Sequence, residues 1–194
     1  MKKTMNTITD YLIQEKIISE EEKNIYLYGL TLFFKYIVSM VLIILLGVMT
    51  RSLREVLIVI VLCLPLRSYG GGIHLKKESL CLICSVVIIQ VIVMINRLFS
   101  FNIAISIILS LVSCLLIYLI GPVDNKNKPL DNIENKIFKS RLNKVLFIQL
   151  SFLFLMILLD KTDVARLIAL SFCVNVLSMI LGKYFRKRDS KFVL

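Results

Sequence analysis

Ile103 to Ile120 reads Ile-Ala-Ile-Ser-Ile-Ile-Leu-Ser-Leu-Val-Ser-Cys-Leu-Leu-Ile-Tyr-Leu-Ile, 18 residues without a charge, closed by Gly121 and Pro122. At about 1.5 Å of rise per residue a helix of this length is about 27 Å long. That is close to the roughly 30 Å of hydrocarbon in a bilayer. A chain that places such a run between charged stretches is built for lipid.

The same texture recurs outward from this run. Apolar runs cover Leu27–Met49, Val56–Leu66, Leu80–Ile95, Val145–Leu159 and Val164–Leu181. The whole chain is 58% hydrophobic, with a mean hydropathy of +0.84, above the roughly 45–50% apolar content of a soluble domain. The pattern predicts an all-α, polytopic integral membrane protein with about six transmembrane or re-entrant helices, in a single membrane domain over residues 1–194. Val56–Leu66 is the short one, at 11 residues. Pro65 interrupts it, so it either thins the bilayer or stops partway through. Lys35 is the one charge in the first run and is expected to snorkel to the interface.

Residues 1–26 are expected to form an amphipathic cytoplasmic segment, of which 1–24 are polar and show no short apolar core followed by small residues, so no cleaved signal is expected there. Ile8, Tyr11, Leu12 and Ile18 predict a short amphipathic helix over Thr7–Ile18, lying on the membrane surface. Ser19-Glu20-Glu21-Glu22 has the spacing of a capping box, which restarts a helix into the first span.

The net charge of +11 raises nucleic acid as a partner, but the basic residues sit in loops and tails between apolar runs. With six crossings and the N-terminus inside, 18 of the 24 Lys and Arg residues fall on the cytoplasmic side and four on the outer side. Positive charge is retained inside, so both termini are expected in the cytoplasm of a multi-pass plasma-membrane protein, and no nucleic acid is expected. The basic segments are a loop over 121–144 and a tail over 182–194.

Residues 67–81, Arg-Ser-Tyr-Gly-Gly-Gly-Ile-His-Leu-Lys-Lys-Glu-Ser-Leu-Cys, stand apart. They hold the sole histidine, His74, a triple glycine, and Cys81 at the head of an apolar run. On one continuous helix, His74 and Cys81 would lie about 10.5 Å apart along the axis. Proton transfer needs roughly 3 Å or one bridging water. The glycines must therefore bend the backbone and bring His74 back toward Cys81. Ser79 is placed to cap the following helix, which puts Cys81 in a first turn, where unpaired N–H groups and the helix dipole favour a thiolate.

Cys81 and Cys84 form C-x-x-C, but no second such pair exists to complete a zinc site, and no βαβ pattern supports a redox pair. No metal or other cofactor is expected. Cys63, Cys114 and Cys173 read as small buried hydrophobes.

In Arg67, Gly72, His74 and Cys81, with the basic, proline-bearing segment Gly121–Leu130, the sequence resembles the AgrB family of membrane cysteine endopeptidases. The length, span count and leading surface helix agree with it over nearly the whole chain. The resemblance implies a quorum-sensing enzyme with Cys81 as nucleophile and His74 as general base and acid. Its substrate would be an AgrD-like precursor peptide, from which it removes an acidic C-terminal tail, leaving a cyclic thiolactone or lactone autoinducing peptide. Arg67, Gly72, Lys126 and Lys128 would form the substrate-binding set, and a homodimer is possible within the family. Two other functions fit six spans: a small peptide transporter or exporter, and a non-catalytic membrane scaffold.

Overall fold

A computed structural model describes residues 2–72, 78–123 and 131–191, excluding the side chains of residues 2, 3, 78, 79, 81, 82 and 186–191. The described chain is helical, with seven helices: α1 Lys2–Gln14, α2 Lys23–Met49, α3 Leu53–Gly70, α4 Glu78–Leu98, α5 Ile103–Ile120, α6 Asn132–Leu158 and α7 Thr162–Lys191. Each apolar run of the sequence lies within one of α2 to α7, apart from Leu159 at the end of α6. Four of them, α2, α5, α6 and α7, are long and apolar enough to cross a bilayer. The chain is a membrane protein of the all-α class.

Two helices form the centre. One face of α3 and α7 packs Leu62, Leu66, Val164, Ile168, Phe172 and Met179 against Ile117 of α5 and Leu142, Leu146 and Leu153 of α6. Another face packs Val56, Val59, Ile60 and Leu167 against Ile43 of α2 and Ile89, Ile92 and Val93 of α4. Close approach of α5 to α7 is possible because α5 buries Ser106, Ser110 and Ser113, and α7 buries Ala165 and Ala169. Small residues let helix backbones meet where lipid provides no hydrophobic drive. The outer faces of α2, α4, α5 and α6 carry exposed Leu, Ile, Val and Phe, as a lipid-facing surface requires.

The second apolar run departs from its expectation. Helix α3 continues through Pro65 to Gly70, 18 residues in all, or about 27 Å. Pro65 leaves the carbonyl four residues earlier, at Val61, without its helical donor, and a neighbouring helix bonds to the next carbonyl along. Gln149 Nε2 of α6, buried, donates to the Leu62 carbonyl at 2.8 Å. Polar Arg67 and Tyr69, which had marked the end of the run, are part of the helix and face protein.

Helices α3 and α7 run parallel along the length of α3. Near their starts Arg54 pairs with Asp163 at 3.1 Å, and near the end of α3 Arg67 meets Ser178, just past the middle of α7. At the starting end, Arg97 of α4 donates to the carbonyls of Thr50 and Arg51 at 2.9 and 2.6 Å and to Glu55 at 3.0 Å. That one side chain ties the ends of α2 and α4 to the beginning of α3.

Other boundaries also shift. The first helix is Lys2–Gln14 rather than Thr7–Ile18, and it lies on α2 with Met5 and Thr9 buried and Asp10 paired to Lys23 at 2.7 Å. Only half of the predicted box at Ser19 forms. Glu22 accepts from the Ser19 backbone and hydroxyl at 3.0 and 2.9 Å, and α2 begins at Lys23. Residues 132–144 are the first half of α6 rather than loop, because Asp131 and Glu134 make a complete capping box. Helix α7 likewise continues to Lys191, well into the segment read as a tail.

Candidate functional site

Helix α3 carries the first part of the 67–81 segment as far as Gly70, and the next two residues need backbone that only glycine adopts without strain. Gly71 has φ +73° and Gly72 φ +145°, both in the region that L side chains avoid. Each is also closed in by neighbours. A Cβ on Gly71 would run into the Val123 carbonyl oxygen, and one on Gly72 would run into Ser178 Oγ and Arg67 Nη1. The triple glycine thus makes a sharp, tightly held exit from α3, and Gly72 is buried.

Three other elements hold this exit. Val123, three residues past the end of α5, forms a parallel bridge with Gly71 and donates its N–H to the Gly70 carbonyl at 2.9 Å. From α6, Leu142 closes on Gly70, while Phe138 meets the Tyr69 ring edge-on at 6.2 Å and Arg141 lies 5.8 Å from its centre. From α7, Met179 closes on Gly70, and Ser178 and Gly182 contact Gly72 and Arg67. The described part of the segment lies at one end of the bundle, level with the end of α5 and the last turns of α7's apolar stretch.

Arg67 is half-buried on α3 with its guanidinium donating to Ser178 Oγ. Gly72 is the buried turn residue against it. Cys81 is on α4, whose described part begins at Glu78, so Ser79 lies inside the helix and does not cap it. His74, Lys126 and Lys128 lie outside the described residues, as does the Cys81 side chain. Among the other thiols, Cys84 is exposed on α4, and Cys63, Cys114 and Cys173 are half-buried between helices, Cys173 with its sulfur 3.3 Å from Ser113 Oγ.

The sequence reading missed Val123, Ser178 and Gly182. Ser178 and Gly182 carry a recognisable signal, two small residues four apart in a membrane helix. Val123 has no local signal, because its partner is more than fifty residues away.

A helical membrane protein whose third helix ends in a clamped glycine turn beside an arginine, with a cysteine opening the next helix, defines a narrow class. The family described as Accessory gene regulator B matches residues 5–180, and the chain belongs to this AgrB family. Two proteins of Clostridium perfringens with AgrB-like names are similar to it, 28% and 27% identical over 137 residues, covering 64% of this chain and 64% of each of them. An AgrB-like protein of Clostridium beijerinckii is 25% identical over 126 residues, covering 62% of this chain and 60% of that protein. The chain therefore spans somewhat under two thirds of the length of the curated relatives it matches. No solved structure matches it.

Proposed function

We propose that this protein is a membrane-embedded cysteine endopeptidase of an agr-type quorum-sensing system, acting on an AgrD-like precursor peptide. The observation that carries the reading is the family match across residues 5–180, which contains Arg67, Gly72, His74 and Cys81 in the order and spacing that suit this chemistry. Family membership supports the quorum-sensing role, and the reaction follows from the residue types.

In the proposed reaction the Cys81 thiolate attacks the carbonyl carbon at the junction of signal segment and tail, and His74 holds the thiol proton. The tetrahedral intermediate collapses with rupture of the C–N bond, and the imidazolium gives its proton to the leaving amine. A thioester between Cys81 and the signal segment remains. A thiol or hydroxyl within that segment then attacks the thioester, closing a thiolactone or lactone and restoring the Cys81 sulfur. Well-placed intramolecular nucleophiles reach effective molarities of about 10⁵ M or more, enough to favour ring closure over hydrolysis.

The start of α4 suits the nucleophile, since a cysteine in a first turn gains thiolate character from the helix dipole. Arg67 provides a guanidinium able to hold a carboxylate. Lys126 and Lys128 follow Val123 by only a few residues, and the bridge from Val123 to Gly71 supports a role for their loop in meeting the acidic tail. Both termini are taken as cytoplasmic on the distribution of Lys and Arg, and residues 1–194 as a single membrane domain.

Co-expression with the precursor and mass analysis of the peptide tests the proposal. Cys81→Ala and His74→Ala are expected to abolish tail removal, while Cys84→Ala retains it. Tail removal that persists in Cys81→Ala overturns the proposal.

A further inference from the structure

We propose that Ser178 and Gly182, one turn apart on α7, are positioning residues that set the glycine turn and through it the catalytic segment. The inference rests on the reading that His74 and Cys81 carry the reaction.

Glycine weakens a helix interior, yet Gly182 sits inside α7, nine residues before its end. Its packing gives the reason. A Cβ at Gly182 would lie 2.8 Å from the Gly72 carbonyl carbon, 2.9 Å from its oxygen and 3.2 Å from its Cα. All three neighbours are backbone, so no side chain is free to swing aside. The main chain of the turn rests directly on the main chain of α7. One turn earlier, the Ser178 hydroxyl accepts from Arg67 and fills the space that a Cβ on Gly72 would need.

Height and tilt of the turn are therefore fixed from α7. Gly182 sets how closely Gly72 approaches, and Ser178 holds Arg67 beside it. His74 follows Gly72 by two residues, so a side chain at 182 moves the point from which the imidazole is hung. Misplacement by about 1 Å can cost a catalytic constellation roughly 100-fold. Gly29 offers a control on the same chain: a Cβ there meets nothing within 4 Å.

The test uses the purified full-length protein with a synthetic precursor peptide and compares Gly182→Ala, Gly182→Val, Ser178→Ala and Gly29→Ala. Tail-cleavage kcat is expected to fall about tenfold in Gly182→Ala and about 100-fold in Gly182→Val, with KM within about twofold of the parent. Ser178→Ala is expected to fall less, since it removes the hydroxyl that accepts from Arg67 and adds no bulk. Gly29→Ala should match the parent. Alkylation of Cys81 across pH, mapped by peptide mass, supplies a readout that general loosening would not move in this way. Its midpoint should shift upward toward that of an ordinary thiol, about 8.5, as His74 is displaced. If Gly182→Val does not yield dispersed protein, Gly182→Ala decides by the same two readouts. Parental kcat in Gly182→Ala, or an unshifted alkylation midpoint in a Gly182 variant that has lost activity, overturns the inference. Cys81→Ala in parallel separates the two claims. If it still cleaves, the proposed function fails and this inference with it; if it is dead while the Gly182 variants are active, only this inference fails.

Discussion

Val123 donates its backbone N–H to the carbonyl of Gly70 at 2.9 Å, joining the segment after α5 to the exit of α3. Two stretches far apart in the chain thereby become one structural unit. In sequence, His74 follows one strand of this joint and Lys126 and Lys128 follow the other. Substrate capture and chemistry, if each belongs to one of these segments, share a common support.

Val123→Pro tests that support, because proline lacks the N–H and leaves the Gly70 carbonyl, on a buried residue, without its partner. A lost buried hydrogen bond costs about 1–3 kcal/mol. The expected result is a fall in tail cleavage of roughly tenfold or more, with helix content in circular dichroism unchanged. Parental activity would show that the joint is dispensable.

Gln149 is a buried polar side chain spent on α3, three residues before Pro65. Hydrogen bonds between membrane helices average about 0.6 kcal/mol, up to about 2. Gln149→Leu is expected to lower the unfolding free energy in detergent by an amount in that range, read as a lower thermal midpoint, and to leave KM unchanged. A midpoint at or above the parent's would mean that the proline region needs no such partner.

The turn between α1 and α2 carries a pH dependence. The Ser19 backbone N–H, and secondarily its hydroxyl, hold the fully exposed Glu22 carboxyl below the ordinary glutamate value. A lowered folded-state pKa means that the contribution to stability is present above the unfolded value and is lost as pH falls through the folded one. NMR titration of Glu22 should show a depressed midpoint that Ser19→Ala raises only in part, because the backbone donor remains. A midpoint at or above the ordinary value contradicts the hydrogen-bonded turn.

The proposed orientation, with both termini in the cytoplasm, rests on the charge distribution and is open to a direct probe. Lys161 lies between α6 and α7 at the Arg54–Asp163 end, and Lys136 lies in the first turns of α6 at the other. Lys161→Cys should react with a membrane-impermeant maleimide on intact cells, and Lys136→Cys only after permeabilisation. The reverse pattern would invert the assignment.

Much of the fold is legible in the sequence because lipid demands long uncharged runs, and each of α2 to α7 holds one. The central helix is where that logic thins. In α3 the residues that face protein include Arg67, which reaches Ser178, and Tyr69, which meets Phe138, so counting apolar residues shortens it. Residues 132–144 are too basic for a span but are well capped by Asp131 and Glu134, and read as loop for the same reason. Of the site, the need for glycine at 71 and 72 is readable from their run, whereas the contacts of Gly72 with Gly182 and of Gly70 with Val123 are long-range. No local pattern announces them.

The sulfur of Cys81 is the centre of the account, and a covalent adduct tests it most directly. Incubation with a precursor whose ring-closing residue is replaced by alanine should trap the acyl intermediate. Intact-protein mass is expected to rise by that of the precursor lacking its tail, less one water. The adduct should map to Cys81, be released by hydroxylamine, appear in Cys84→Ala and be absent from Cys81→Ala. Release of the tail with no adduct on Cys81, or an adduct on another cysteine, would contradict the account.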